Sequence, residues 1–115
     1  MLARPSRLHR PAEFRAAARS GRRVSAPGLV LHAYAVPAEV AAADTPKVGF
    51  VVGKVVGPAV TRNRVRRRLQ HLIAGRLDQL PARARLVVRA TPAAAGQSYA
   101  LLGQALDAAL AKAYR

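Results

Sequence analysis

Five arginines fall within seven residues, Arg62, Arg64, Arg66, Arg67 and Arg68, interrupted by Asn63 and Val65. A guanidinium is a planar fork of donors that matches phosphate, and an amide both donates and accepts hydrogen bonds. On a helix, at about 100° per residue, Val65, Leu69, Leu72 and Ile73 share one apolar stripe. Asn63 and Arg67 then lie on the opposite side, with Arg64 and His71 beside them. Arg62 and Arg66 flank the stripe on one edge and Arg68 on the other. Such a helix presents a rigid basic face. Crowding like charges costs tenths of a kcal/mol per i,i+4 pair, which bound phosphate offsets. Residues 47–77 contain no acid, so the face has no local counter-charge.

The rest of the composition points the same way. The 115 residues carry 20 Lys+Arg against 5 Asp+Glu, a formal charge of +15. Seventeen of the cations are Arg and three are Lys, a bias that suits nucleic acid but that a GC-rich genome also produces. The shortage of acids has no such origin and calls for an anionic partner. The absence of cysteine excludes a disulfide scaffold, a Cys-based zinc finger and a thiol nucleophile. His9, His32 and His71 lack metal-ligand spacing. Glu13, Glu39, Asp44, Asp78 and Asp107 are too dispersed to cluster around metal ions. No apolar run approaches the roughly 18 residues of a membrane span, and the N-terminus lacks a signal peptide's apolar core. A cytoplasmic location is expected, with no membrane association and no obligate protein partner.

Length allows one domain, residues 1–115, with a basic segment at 1–10. The 33 apolar residues besides 26 alanines suffice for a thin two-layer core. Pro11, Glu13 and Gly21 predict a short helix over residues 11–20. Residues 29–36 and 47–56 read as strands, with Gly49 and Gly53 weakening the second. Residues 86–88 read as a short central strand, and a further strand is possible around residues 22–25. Residues 38–46 read as a loop. Two longer helices are predicted over residues 58–80 and 98–114, the latter with Leu102, Leu106 and Leu110 at i, i+4, i+8. The order α-β-β-(β)-α-β-α indicates an α+β, two-layer α/β sandwich.

The run Lys47-Val48-Gly49-Phe50-Val51-Val52-Gly53-Lys54-Val55-Val56-Gly57-Pro58-Ala59-Val60-Thr61-Arg62-Asn63-Arg64-Val65-Arg66-Arg67-Arg68-Leu69 closely resembles the signature of the protein subunit of bacterial ribonuclease P. Arg62-Asn63-Arg64 corresponds to that family's RNR motif, and Leu8 to Phe14 to its N-terminal element. The resemblance implies a left-handed βαβ crossover, against the general right-handed rule. It implies an accessory subunit of an endoribonuclease, a hydrolase that removes the 5′ leader of precursor tRNA. A catalytic RNA would supply the active site and hold the Mg²⁺ ions. No catalytic residue and no organic cofactor are then expected in the protein.

Two surfaces follow from the resemblance. Arg62, Asn63, Arg64, Arg66, Arg67 and Arg68 would contact the catalytic RNA through phosphates and 2′-hydroxyls. Asn63 would either do so or make an internal structural bond. The leader would enter a cleft between the sheet and the first helix, lined by Phe14, His32, Lys54 and Arg89, with stacking and phosphate contacts. Arg10, Arg15 and Arg19 would add auxiliary charge. The chain departs from the family pattern at Ala18 and His32, where aromatics are common. Gly53, Val55 and Pro58 replace the usual Ser, Lys and Asn. The family's basic residue after the last strand is either Arg89, with a one-residue shift, or lost at Ala90. Composition alone fits a ribosomal component of similar fold or a DNA-compacting protein equally well; residues 47–69 favour the ribonuclease P family.

Overall fold

A computed structural model describes residues 21–35 and 45–114. The predicted helix over 11–20 and the basic segment 1–10 lie outside the described residues. With them lie Phe14, Arg10, Arg15 and Arg19, and most of the loop predicted at 38–46. Among the described residues there are four strands: β1 (Arg22–Ala26), β2 (Leu29–Ala35), β3 (Lys47–Val51) and β4 (Ala84–Ala90). Two helices accompany them, α1 (Ala59–Ala74) and α2 (Tyr99–Ala113). The architecture is α+β, as the element pattern predicts, and the optional strand at 22–25 is real.

The sheet order is β1-β2-β4-β3, which makes β4 central, as its unbroken apolar core suggests. β1 and β2 form a hairpin across Pro27-Gly28, where Gly28 has φ of 86°. Proline presets the first turn position and glycine supplies the positive φ of the second. β2 pairs antiparallel with β4, whereas β3 pairs parallel with it. Parallel neighbours need a crossover, and α1 provides it.

One sheet face carries Leu29, Leu31, Val48, Leu86 and Val88 into the core. Against them pack Val65, Leu69, Leu72 and Ile73 of α1, the four residues of the predicted stripe, and Leu102, Leu106 and Leu110 of α2. Fully burying a Leu, Ile or Val side chain is worth about 1.5–3 kcal/mol, so these rows fix where each helix points its polar side. Ser98 caps α2, its Oγ accepting from the Leu101 N–H at 3.1 Å, a cap worth about 1 kcal/mol.

Two element ends differ from expectation. α1 stops at Ala74 instead of continuing to Leu80, and residues Leu77–Gln79 form a 3-10 turn. Gly75 weakens helix propagation, and Arg76 folds back to donate to the Leu72 carbonyl at 2.9 Å, satisfying one of the open carbonyls there. The strand beginning at Lys47 ends at Val51, and Lys54–Val56 form another 3-10 turn. Gly57, with φ of 151°, turns the chain into Pro58 at the N-cap of α1.

Candidate nucleic-acid interface

The basic residues of α1 occupy the positions the wheel assigns them. Asn63, Arg64, Arg67 and His71 are exposed, while Arg62, Arg66 and Arg68 are half-buried along the margins. Burial of the Val65–Leu69–Leu72–Ile73 stripe leaves the helix no other rotation. Three arginines are then held by main-chain carbonyls. Arg62 Nε donates to Gly57 O at 3.1 Å, Arg64 Nη2 to Ala95 O at 3.2 Å, and Arg68 Nη1 to Gln97 O at 3.1 Å. Each uses one donor of a guanidinium fork and leaves others for a ligand. Asn63 Oδ1 accepts from Arg66 Nη1 at 3.2 Å. Arg67 makes no hydrogen bond or ion pair among the described residues.

Local electrostatics reinforce this face. The first turn of α1 holds no acid, and Pro58 offers no side-chain cap, so the positive end of the helix dipole is unneutralised. The acids among the described residues are Asp78 and Asp107. Asp107 is bound by Arg76 through Nε–Oδ1 and through Nη2–Oδ2 at 3.1 Å. That ion pair holds the Asp107 carboxyl below its ordinary range, chiefly through the hydrogen bond. Neither acid touches the α1 arginines. Among the described residues no three His, Cys, Asp or Glu side chains converge.

The sheet face opposite α1 and α2 carries a second set of basic residues, with Arg23 and Arg89 exposed and Val30, His32 and Val87 buried. Cross-strand register aligns Arg23, His32, Val87 and Gly49 in one row and Ser25, Val30, Arg89 and Val51 in the next. His32 and Arg89 are therefore diagonal neighbours, within reach across an antiparallel pair. Ala90 is buried in the core, so the pleat turns Arg89, and not position 90, to the outer face. Lys54 is exposed in the 3-10 turn beyond β3 and makes no hydrogen bond among the described residues.

His32 is buried within this face. It is only 5% exposed, and neither ring nitrogen has a hydrogen-bond partner among the described residues. Burial, then the charges of Arg89 and Arg23, push its pKa below the usual 6.5. It therefore sits between two guanidiniums as a neutral ring.

Sequence reasoning missed the residues that join these surfaces. Gln97 donates through Nε2 to Pro27 O at 3.0 Å, clasping the hairpin turn, while its carbonyl accepts from Arg68. Tyr99 bonds His71, hydroxyl to Nδ1 at 2.6 Å. Only the turn-like Gly96-Gln97-Ser98 sequence marks the place, and nothing in it names the partners.

The family model for ribonuclease P matches residues 2–114. The ribonuclease P protein component of Acidothermus cellulolyticus is 46% identical, over 97% of this chain and 91% of its own. That of Salinispora tropica is also 46% identical, over 98% and 93%. A Staphylococcus aureus RNase P protein, a mutant with defective mRNA degradation activity, superposes with a TM-score of 0.83 at 23% identity, covering 95% of this chain and 88% of that one. The RNase P protein from Thermotoga maritima superposes with a TM-score of 0.77 at 17% identity, covering 92% and 96%.

Proposed function

From membership in the ribonuclease P protein family, to which this chain belongs, we propose that it organises RNA for a reaction carried out by RNA. The exposed face of α1 docks the catalytic RNA: Arg62, Arg64 and Arg68, steadied by main-chain carbonyls, and Arg66 and Arg67 engage phosphates and 2′-hydroxyls. Asn63 orients Arg66. The outer sheet face takes the 5′ leader of precursor tRNA, with Arg89 on its phosphates and neutral His32 spacing Arg89 from Arg23. Lys54 extends that surface at the sheet end, and Phe14 supplies an aromatic from the N-terminal segment. Arg10, Arg15 and Arg19 add long-range attraction. Donors for Mg²⁺ belong to the RNA. The work is cytoplasmic, and among the described residues no helix is long and apolar enough to cross a membrane.

The observation that carries this reading is the α1 face itself, five arginines on a helix locked in rotation, with no acid of the described residues against them. Equilibrium binding to ribonuclease P RNA, competed with duplex DNA of equal length, tests it. The expected result is a preference for the RNA that weakens steeply as salt rises. Equal competition by duplex DNA refutes it.

A further inference from the structure

One edge of α1 is stitched to the segment entering α2 at three successive turns. Arg64 reaches Ala95 O, Arg68 reaches Gln97 O, and His71 Nδ1 meets the Tyr99 hydroxyl. The spacing i, i+4, i+7 is that of one helix face, so the stitching extends the basic row until it ends at an aromatic ring. Tyr99 is 40% exposed and takes no part in the core. Its ring centroid stands 5.8 Å from that of His71, at an interplanar angle of 52°. The hydroxyl is already engaged, so what the side chain offers a ligand is its π-face. Arg67, one turn before His71 on the exposed side, has no partner among the described residues. The first turn of α2 contains no acid.

Surface aromatics beside unpaired guanidiniums suit single-stranded nucleic acid: the ring stacks a base and the cation takes the adjoining phosphate. A duplex hides its bases within the stack and cannot use such a ring. We propose that Tyr99, backed by His71, stacks an unpaired nucleotide of the RNA that docks on α1, with the neighbouring phosphate on Arg67. This deepens the RNA-docking reading above and rests on it. Because every base has a π-face, the site selects an unstacked nucleotide and not a particular base.

The test is binding of the full chain to ribonuclease P RNA. Tyr99→Ala is expected to weaken binding about 5- to 150-fold, the range for one stacked base. Tyr99→Phe, which keeps the ring and loses the His71 bond, keeps the greater part of the affinity. The chain has no tryptophan, so Tyr99→Trp adds a single reporter whose emission the RNA should quench on stacking. Wild-type affinity in Tyr99→Ala, an equal loss in Tyr99→Phe, or an unquenched Trp would each overturn the proposal. The Phe and Trp variants decide it even if the Ala variant fails to fold. A wild-type chain that does not bind this RNA overturns the docking reading as well. Wild-type binding with normal affinity in Tyr99→Ala overturns only the nucleotide site.

Discussion

The exposed face of α1 and the outer face of the sheet both carry arginine, but they are built by different physics. On α1 the basic residues lie close in sequence, and one buried stripe sets them all on one side. On the sheet, Arg23, His32 and Arg89 come from three strands, and only cross-strand register makes them neighbours. The helix face is held from beside by main-chain carbonyls at Ala95 and Gln97. The sheet face instead contains a buried, neutral imidazole between its charges. The first is a fixed array of guanidiniums on one helix. The second sets two guanidiniums beside an imidazole whose pKa their charge lowers.

The largest expected effect falls on the helix face. Arg64→Ala with Arg67→Ala should weaken binding to ribonuclease P RNA by about 10- to 100-fold per lost charged contact. The log–log salt slope should fall by roughly 0.7–0.9 for each phosphate released. Unchanged salt dependence would remove α1 from the docking surface.

Next is the clasp between the two regions. A Cβ on Gly28 would lie 1.8 Å from Gln97 Oε1, at a φ of 86°. Gly28→Ala should cost about 1–3 kcal/mol of stability, from left-handed backbone strain and the lost Gln97–Pro27 bond. Chemical denaturation measures it. Stability equal to wild type would mean that the hairpin and α1 are not coupled through Gln97.

A smaller effect separates the faces by pH. The folded pKa of His32 is lowered, so between that value and 6.5 the unfolded chain binds the extra proton. Stability is therefore full above about pH 6.5 and falls as the pH drops, by at most about 1.4 kcal/mol per pH unit. His32→Gln should flatten this dependence between pH 5 and 7 in denaturation curves, and an unaltered slope would assign it elsewhere. Asp107→Asn should have the smallest effect. Its pair joins the half-buried Arg76 to an exposed carboxylate, is worth about 0–1 kcal/mol, and touches neither basic face. A change in RNA affinity would show that the two regions do not contain the whole interface.

The sequence was most legible where one element carries the information. The stripe from Val65 to Ile73 and the row Leu102, Leu106, Leu110 are periodic, and each is buried as its period requires. Arg22–Ala26 is harder to read as a strand, because two of its five residues are arginines and only its pairing with β2 makes it one. Whether Arg89 or Ala90 carries the outward charge depends on the pleat. The early end of α1 turns on Gly75 and on Arg76 folding back, which a helical period that continues through Leu80 conceals. The Gln97 clasp and the Tyr99–His71 contact join residues 70 and 28 positions apart, and no local pattern encodes such a distance.

The central claim, that this protein organises RNA and leaves the chemistry to RNA, is tested most directly by reconstituted cleavage of precursor tRNA. Cognate ribonuclease P RNA is assayed at low Mg²⁺ and low salt, with and without equimolar protein, alongside protein alone. No cleavage is expected from the protein alone, and a marked gain in the rate of leader removal is expected when it joins the RNA. An RNA-only rate left unchanged by the protein, or cleavage by the protein without RNA, would contradict it.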